Sequence, residues 1–197
     1  MNGYSQAGQD IFILSLFDKD YNGTFVDIGC NMPNTINNTL LLEKNGWTGI
    51  SIDIENFSKE WESRKTPFIQ VDALKCNYKD LFKSYNLPKV IDYLNLDIEG
   101  EGLRYKALER VMKIGDFKAI TIEHDLYRGY DLSERLPQRK LLSELGYLLL
   151  CSDVHVNNIN YPFEDWWVNP KYLNESQYIH YKSVYKSGFE IIKENKI

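Results

Sequence analysis

Cysteine is scarce in this chain of 197 residues, and no two cysteines have the spacing of a metal-binding pair. The three present, Cys30, Cys76 and Cys151, are odd in number. Cys30 and Cys151 lie in or beside apolar segments, where a reduced thiol acts as a small hydrophobe. This usage fits a reducing compartment.

Long hydrophobic runs and basic runs are also missing. No apolar stretch approaches the ~20 residues needed to span a bilayer. The N-terminal residues MNGYSQ have neither the basic region nor the apolar core of a signal peptide. The net charge is −5 and Lys and Arg form no dense cluster, so nothing indicates a large phosphate-binding surface. We therefore expect a cytoplasmic protein without membrane contact, for which nucleic acid is a disfavoured partner.

Short β-branched or aromatic segments alternate with segments of helical periodicity, and no repeat or linker interrupts them. Such alternation predicts an α/β sandwich of three layers with a mainly parallel, seven-stranded sheet and an antiparallel last strand. The predicted strands are 25–28, 49–53, 68–71, 90–96, 119–122, 147–156 and 164–168. The predicted helices are 9–17, 33–45, 57–64, 79–85, 103–114 and 136–145.

We expect one domain over 1–197, in which 1–20 forms an N-terminal helix packed on the core and 171–197 forms a partly helical C-terminal extension. A turn is expected at Asn157 and Asn158, because Asn tolerates positive φ.

In parallel sheets, ligands bind beyond the carboxyl ends of the strands. After the first strand, Asp27 precedes Gly29, which allows a tight turn before a predicted helix. The dinucleotide fingerprint is absent, because two of its glycines are missing and an acid precedes the first. A helix N-terminus favours an anion. With an acid beside it, the site suits a ligand that carries one carboxylate and one ammonium, such as the amino-acid end of S-adenosylmethionine.

Acids also follow the next three strands. Asp53 follows the second strand, where a carboxylate can accept both ribose hydroxyls of an adenosine. Asp72 follows the third, where it can bond an adenine amino group or cap a helix. Asn95, Asp97 and Glu99 share one side of the fourth strand, and clustered acids at the end of an apolar strand indicate a ligand, a metal or proton transfer.

Histidine is rare, with three in the chain, and His124 follows the fifth strand. Imidazole exchanges protons readily near neutral pH, so His124 is a candidate base, although a lone histidine is often structural. Asp153 and His155 share a face of the sixth strand. They form either a metal site with Asp97 or Glu123 or, more simply, a solvated hairpin.

The adjacent residues Trp166 and Trp167 are more typical of a core than of a substrate platform.

Several segments together resemble the FkbM family of methyltransferases: YSQAGQD (4–10), GTFVDIGCN (23–31), NTLLLE (38–43), GWTG (46–49), IDYLNLDIEG (91–100), ITIEH (120–124) and EDWWVNP (164–170). The resemblance implies a Rossmann-like fold of class I, S-adenosylmethionine as methyl donor, and an O-methylated sugar or natural product. The positions that it places around the cofactor are Gln6, Asp27, Gly29, Asn31, Asp53, Asp72 and Asp97. The chain departs from many relatives in having NMPN at 31–34 instead of a glycine-bearing stretch.

Methyl transfer to a hydroxyl needs a base within hydrogen-bond reach. His124, Glu99 and Asp97 are the candidates. A divalent cation is an alternative, although no metal site is expected. The acceptor is expected to be a small molecule or glycan.

Three other functions stay open. They are a nucleotide-dependent oxidoreductase, a non-catalytic binding module with a degenerate cofactor site, and a hydrolase with a metal held by Asp97, Glu99, Glu123 and His155.

Overall fold

The computed structural model describes residues 3–156 and 159–195, without the side chains of 159 and 160, and places eight strands in one sheet. Strands β1 to β5 run parallel in the order β3-β2-β1-β4-β5. Strand β7 is antiparallel to both β5 and β6, and β8 extends the edge beside β6. The strands are β1 Thr24–Ile28, β2 Thr48–Asp53, β3 Phe68–Gln70, β4 Val90–Leu96, β5 Asp116–Glu123, β6 Leu148–Val156, β7 Ile159–Val168 and β8 Ser183–Val184.

The helices are α1 Gln9–Ser15, α2 Leu40–Lys44, α3 Tyr78–Ser84, α4 Leu103–Val111, α5 Leu136–Glu144, α6 Glu175–Tyr178 and α7 Gly188–Glu194. They cover both faces of the sheet, so the predicted mainly parallel α/β sandwich with an antiparallel seventh strand is confirmed. The predicted strand count was one short, because the two-residue β8 is too short to show alternation. The tail after Lys171 is partly helical, as predicted. The turn predicted at Asn157 and Asn158 lies outside the described residues.

Alternating side chains divide the sheet between two hydrophobic cores. On β7, Trp167 joins the core beneath α3 to α5, and Trp166 joins the opposite core with α1. Phe12 of α1 stacks on Trp166, with ring centroids 4.5 Å apart and planes inclined by 21°. Both tryptophans are almost fully buried, which confirms that they belong to the core. These contacts pack α1 against β7 on one face of the sheet.

The second helix is much shorter than predicted, because α2 begins at Leu40 rather than at 33. The Oδ1 atom of Asn37 accepts hydrogen bonds from the backbone N–H groups of Thr39 (3.0 Å) and Leu40 (2.9 Å). Ile36 has a φ of 50°, which a helix does not allow. Asparagine side chains compete with helical hydrogen bonds in this way, and the stretch before Leu40 therefore forms a loop.

The helix predicted at 57–64 is reduced to a 3₁₀ turn, Glu60–Ser63. Its Trp61 is buried, and the indole Nε1–H donates to the carbonyl oxygen of Asn31 at 2.8 Å. The segment is therefore held in place by this hydrogen bond to the loop after β1 and does not form a regular helix. Within the described residues, none of the helices combines the length and the apolar character needed to cross a membrane.

Candidate functional site

A cavity of about 660 Å³ opens at the carboxyl ends of β1, β2 and β4. It lies where the strand order reverses between β1 and β4, the position at which open α/β sheets bind ligands. Its volume is that of a site for a drug-sized molecule. The structure brings to this cavity every residue that the family resemblance placed around a cofactor: Gln6, Asp27, Gly29, Asn31, Asp53, Asp72 and Asp97, together with Glu99.

Gly29 sets the close approach between the loop after β1 and the end of β4. Its φ is 82°, and a Cβ atom built on it would lie 1.7 Å from the carbonyl oxygen of Asp97. No other residue type fits this position without moving the backbone. The glycine therefore allows the loop after β1 and the end of β4, which both line the cavity, to come into direct contact.

Asp27 is buried, and its hydrogen bonds determine how the neighbouring amide side chains are oriented. Its Oδ1 accepts from Asn95 Nδ2 at 2.8 Å, and its Oδ2 accepts from the Thr39 hydroxyl at 3.0 Å. Burial outweighs these two hydrogen bonds and raises the pKa of Asp27 to about 6. Because an ionised carboxylate only accepts hydrogen bonds, the NH₂ group of Asn95 must face Asp27.

The direction of these hydrogen bonds leaves one acceptor free at the cavity. Asn95 turns its oxygen to Asn38, whose Nδ2 donates to it at 2.9 Å. The Oδ1 of Asn38 is then buried, and no hydrogen-bond donor reaches it from the described residues. Asn38 itself lines the cavity, so this buried oxygen lacks a hydrogen-bond donor in the described part of the cavity wall.

Asp53 and Asp72 hold backbone groups at the rim. Asp53 accepts from the N–H groups of Asn31 (2.9 Å) and Glu55 (3.0 Å), and each of its oxygens keeps a second lone pair. Asp72 accepts from the N–H of Leu74 at 2.8 Å, which lowers the pKa of the carboxyl group. Asp72 thus closes a turn, and its expected contact with an adenine stays a prediction.

His124 does not line the cavity, and the expected convergence of His124 with Asp97 and Glu99 is wrong. The ring is fully buried, and its Nδ1 accepts from the N–H of Leu126 at 3.2 Å. Nε2 therefore carries the proton, and it faces Asp165 at 3.5 Å and Asp153 at 3.7 Å. The chain turns away from the cavity here, because the N–H of His124 donates to the carbonyl oxygen of Phe163 at 2.6 Å.

His124, Asp153 and Asp165 have ligand atoms within 4.8 Å of one another, a grouping that can hold a metal ion. Two guanidinium groups already compensate the carboxylates: Arg135 lies 2.8 Å from Asp153, and Arg139 lies 2.7 Å from Asp165. A third cation would be repelled, so the group is an ion-pair network.

Burial raises the pKa of Asp165, but hydrogen bonds from Arg139 and His124 outweigh burial and lower it to about 2. The pKa shift therefore agrees with a carboxylate that stays ionised in this network.

The metal site considered for Asp153 and His155 with Asp97 or Glu123 does not form. Asp153 is paired with Arg135, and the His155 ring lies beside Tyr185 with centroids 5.4 Å apart. A pattern of alternation along β6 cannot reveal this, because the arginines come from the segment that leads into α5 and from α5 itself.

Arg104 is a buried residue that sequence reasoning missed. Its Nη2 donates to Glu123 at 2.8 Å and to Asp125 at 2.9 Å, and lies 4.0 Å from Asp97. Arg104 stands in the first turn of α4, where the helix dipole disfavours a cation. In the sequence, an arginine at the start of a helix and directly after an acid-rich turn was the signal that carboxylates surround it.

Neither the protein-family models nor the curated proteins include a match to this chain. Solved structures do match. A candidate methyltransferase from Streptococcus mutans, in complex with SAH, aligns with a TM-score of 0.56 at 15% identity over 85% of this chain and 99% of its own.

Two further matches have similar scores. A DUF574 family protein from Streptomyces avermitilis has a TM-score of 0.54 at 11% identity over 82% of this chain and 81% of its own. A candidate O-methyltransferase from Klebsiella pneumoniae has a TM-score of 0.53 at 11% identity over 83% and 80%. At such identities the likeness is one of fold: the chain has the Rossmann-like α/β fold of class I S-adenosylmethionine-dependent methyltransferases.

Proposed function

We propose that this chain is an S-adenosylmethionine-dependent methyltransferase of the FkbM family, which methylates a hydroxyl group of a sugar or other small natural product. The observation that carries the proposal is the cavity at the reversal of strand order, with its acidic lining and the free oxygen of Asn38. Solved methyltransferases with the same fold support it.

The residues present fit the proposed cofactor. S-adenosylmethionine carries two positive groups, a sulfonium and an ammonium, and carboxylates such as Asp97 and Glu99 favour cations. The Asn38 oxygen would accept a hydrogen bond from the ammonium, and the free lone pairs of Asp53 would accept the ribose hydroxyls. Phe57 and Leu74 supply apolar surface for the adenine.

When bound, the cofactor supplies a methyl group that is already activated for displacement. The chain then has to hold the acceptor in line, exclude water and receive the hydroxyl proton. His124 cannot receive that proton, because it lies outside the cavity. Of the predicted bases, Asp97 and Glu99 remain; Glu99 is exposed and paired with Arg128 at 2.8 Å.

A pair of exposed tyrosines supports a sugar or other ring-shaped acceptor. Tyr127 and Tyr161 lie with ring centroids 5.8 Å apart and are 46% and 61% exposed. Arg128 connects them to the cavity, since its guanidinium contacts both Glu99 and the Tyr127 hydroxyl (2.9 Å). Such rings offer flat, amphipathic surface to a bound ring.

Titration calorimetry with S-adenosylmethionine, S-adenosylhomocysteine and NAD⁺ tests the proposal. We expect the first two to bind and NAD⁺ not to bind, because the cavity lacks a pyrophosphate cradle. Asp53→Ala should raise both dissociation constants at least about tenfold, since a hydrogen bond to a charged group contributes about 1.5–3 kcal/mol. The exposed Glu62→Ala is the matched control.

The absence of binding heat at millimolar ligand with folded protein would contradict the proposal and favour a non-catalytic module. An unchanged affinity in Asp53→Ala would show that Asp53 serves only the loop at Asn31.

A further inference from the structure

A second, smaller cavity of about 20 Å³ adjoins the main one. It has room for one water molecule or one hydroxyl group. Asn38 and Asp97 line both cavities, so the free oxygen of Asn38 stands at their junction. The far wall is formed by Glu123 at the end of β5 and by Phe163 and Glu164 of β7. The small cavity therefore lies beside the proposed cofactor site, and the polar part of its lining consists of carboxyl and amide side chains.

Two of its carboxylates face the same guanidinium group. Asp97 and Glu123 both line the small cavity, and both lie near Arg104. The Nη2 atom of Arg104 lies 2.8 Å from Glu123 and 4.0 Å from Asp97. Arg104 is fully buried, and no partner from the described part of the chain reaches its Nε and Nη1 atoms. Arg104 therefore forms a close ion pair with Glu123 and a longer one with Asp97 at the cavity wall.

We propose that the small cavity seats the acceptor hydroxyl and that the Asp97–Glu123 pair, rather than His124 or Glu99, receives its proton. This inference rests on the proposed methyltransferase function. In the reaction the hydroxyl O–H bond breaks and its proton passes to the carboxylate pair. The hydroxyl oxygen forms the new bond to the methyl carbon, and the sulfur–carbon bond breaks with its electron pair going to sulfur.

A positive charge in the main cavity prepares the pair for this role. Burial raises the pKa of Asp97 and raises that of Glu123 well above its ordinary value, so the pair favours a protonated form. A nearby cation favours the ionised form of both carboxylates and releases that proton. The methyl donor is a sulfonium, whereas the demethylated product is an uncharged thioether at the same atom. The carboxylate pair is therefore expected to lose its proton when the methyl donor is bound and to keep it when the demethylated product is bound.

Other charged groups face the pair and define the controls. Asp125 is bound to Arg104 at 2.9 Å, and Glu99 is 77% exposed at its side chain. Glu164 stands across the small cavity; it accepts from Trp166 Nε1 at 2.7 Å, and burial raises its pKa to about 8. Glu164 is the carboxyl group that most needs to be distinguished from the pair.

The test counts protons during binding. Calorimetric titrations at pH 7 in buffers of different ionisation enthalpy give the number of protons released on binding S-adenosylmethionine and S-adenosylhomocysteine. We expect the sulfonium ligand to release up to one proton more than the thioether. Glu123→Gln should abolish the difference while both ligands still bind, and Asp97→Asn should do the same if the first variant does not fold. Glu101→Gln, which changes a solvent-exposed acid of the same loop, should retain it.

Equal proton release for the two ligands in the wild-type protein would overturn the inference and leave the proposed function standing. So would a difference that survives in Glu123→Gln but disappears in Glu164→Gln or Glu99→Gln. If neither ligand binds the wild-type protein, the proposed function fails and this inference fails with it.

Discussion

Single residues at the strand ends shape this site mainly by contacting other parts of the chain. Asp27 shows this, because its two carboxylate oxygens accept hydrogen bonds from Asn95 and Thr39; the direct contact with a ligand ammonium that the sequence suggested stays a prediction. Asn95 in turn orients the amide group of Asn38, whose oxygen has no hydrogen-bond donor among the described residues. The role of an acid in such a site thus depends on which neighbours use its lone pairs.

Gly29→Ala should destabilise the protein and weaken binding of S-adenosylhomocysteine. The new methyl group meets the Asp97 carbonyl, and the positive φ alone costs about 1–3 kcal/mol. Gly146→Ala is a matched control, since Gly146 has a φ of 84° but no atom within 4 Å of the added Cβ. Thermal unfolding and calorimetry should show a larger loss of stability at Gly29 and a loss of affinity there alone. Equal effects of the two variants would show that the contact with Asp97 does not matter.

At the scale of elements, buried ion pairs join the carboxyl ends of β5 and β6 to the adjoining part of the antiparallel strand β7. Asp165 of β7 accepts from Arg139 of α5 and also from the N–H of Asp153 on β6 at 2.8 Å. Charges paired and hydrogen-bonded in this way hold their positions, and removal of one partner leaves the others uncompensated. His124 belongs to this network and therefore positions the end of β5.

His124→Asn should lower the melting temperature and leave the affinity for S-adenosylhomocysteine unchanged. The change removes the ring nitrogen that accepts from the N–H of Leu126, and a polar group left without its partner costs about 1–3 kcal/mol. For a domain of this size that corresponds to a fall of roughly 2–12 °C. The exposed His180→Asn serves as control. A variant with wild-type stability but lost affinity would place His124 back in the binding site.

The elements themselves were predictable to different degrees. Most predicted strands match the observed ones within a few residues, because alternation of apolar side chains is a local property. The helix predicted from 33 failed because Asn37 caps α2 from outside, and because Arg64 donates to the Pro33 carbonyl at 2.7 Å and so holds the loop from a distant segment. The apolar periodicity of residues 33–45 contains no information about a contact with such a distant segment.

At the scale of the whole molecule, buried carboxyl groups couple stability to pH. Burial raises the pKa of Glu164 to about 8 and that of Asp27 to about 6. In the folded state these groups hold protons that the unfolded chain releases near pH 4, so their contribution is full below about pH 4 and is lost as the pH rises through 6 to 8. Asp165 works in the opposite direction, because its pKa is about 2 and its contribution is lost as the pH falls through that value.

Glu164→Gln should therefore raise the free energy of unfolding at pH 9 and flatten its decline between about pH 4.5 and 8. The amide keeps an oxygen that can accept from Trp166 and removes the cost of ionising a buried acid. One pKa unit corresponds to about 1.4 kcal/mol, which sets an upper limit of about 5 kcal/mol for the gain. Denaturant titrations across the pH range measure it, with the exposed Glu144→Gln as control. A variant that is less stable than the wild type at pH 9 would contradict the prediction.

The sequence by itself determined the α/β architecture, the antiparallel seventh strand and the strand-end acids that meet at the cavity. Apolar alternation, turn residues and the rule that ligands bind at strand ends are all readable along the chain. Only the tertiary structure decided which way the polar side chains face. The network of His124, the approach of Asp97 and Glu123 to Arg104, and the orientation of the Asn38 amide each depend on partners far away in sequence. Hydrogen bonds and ion pairs act over a few ångströms in space, and only packing brings such partners within that distance.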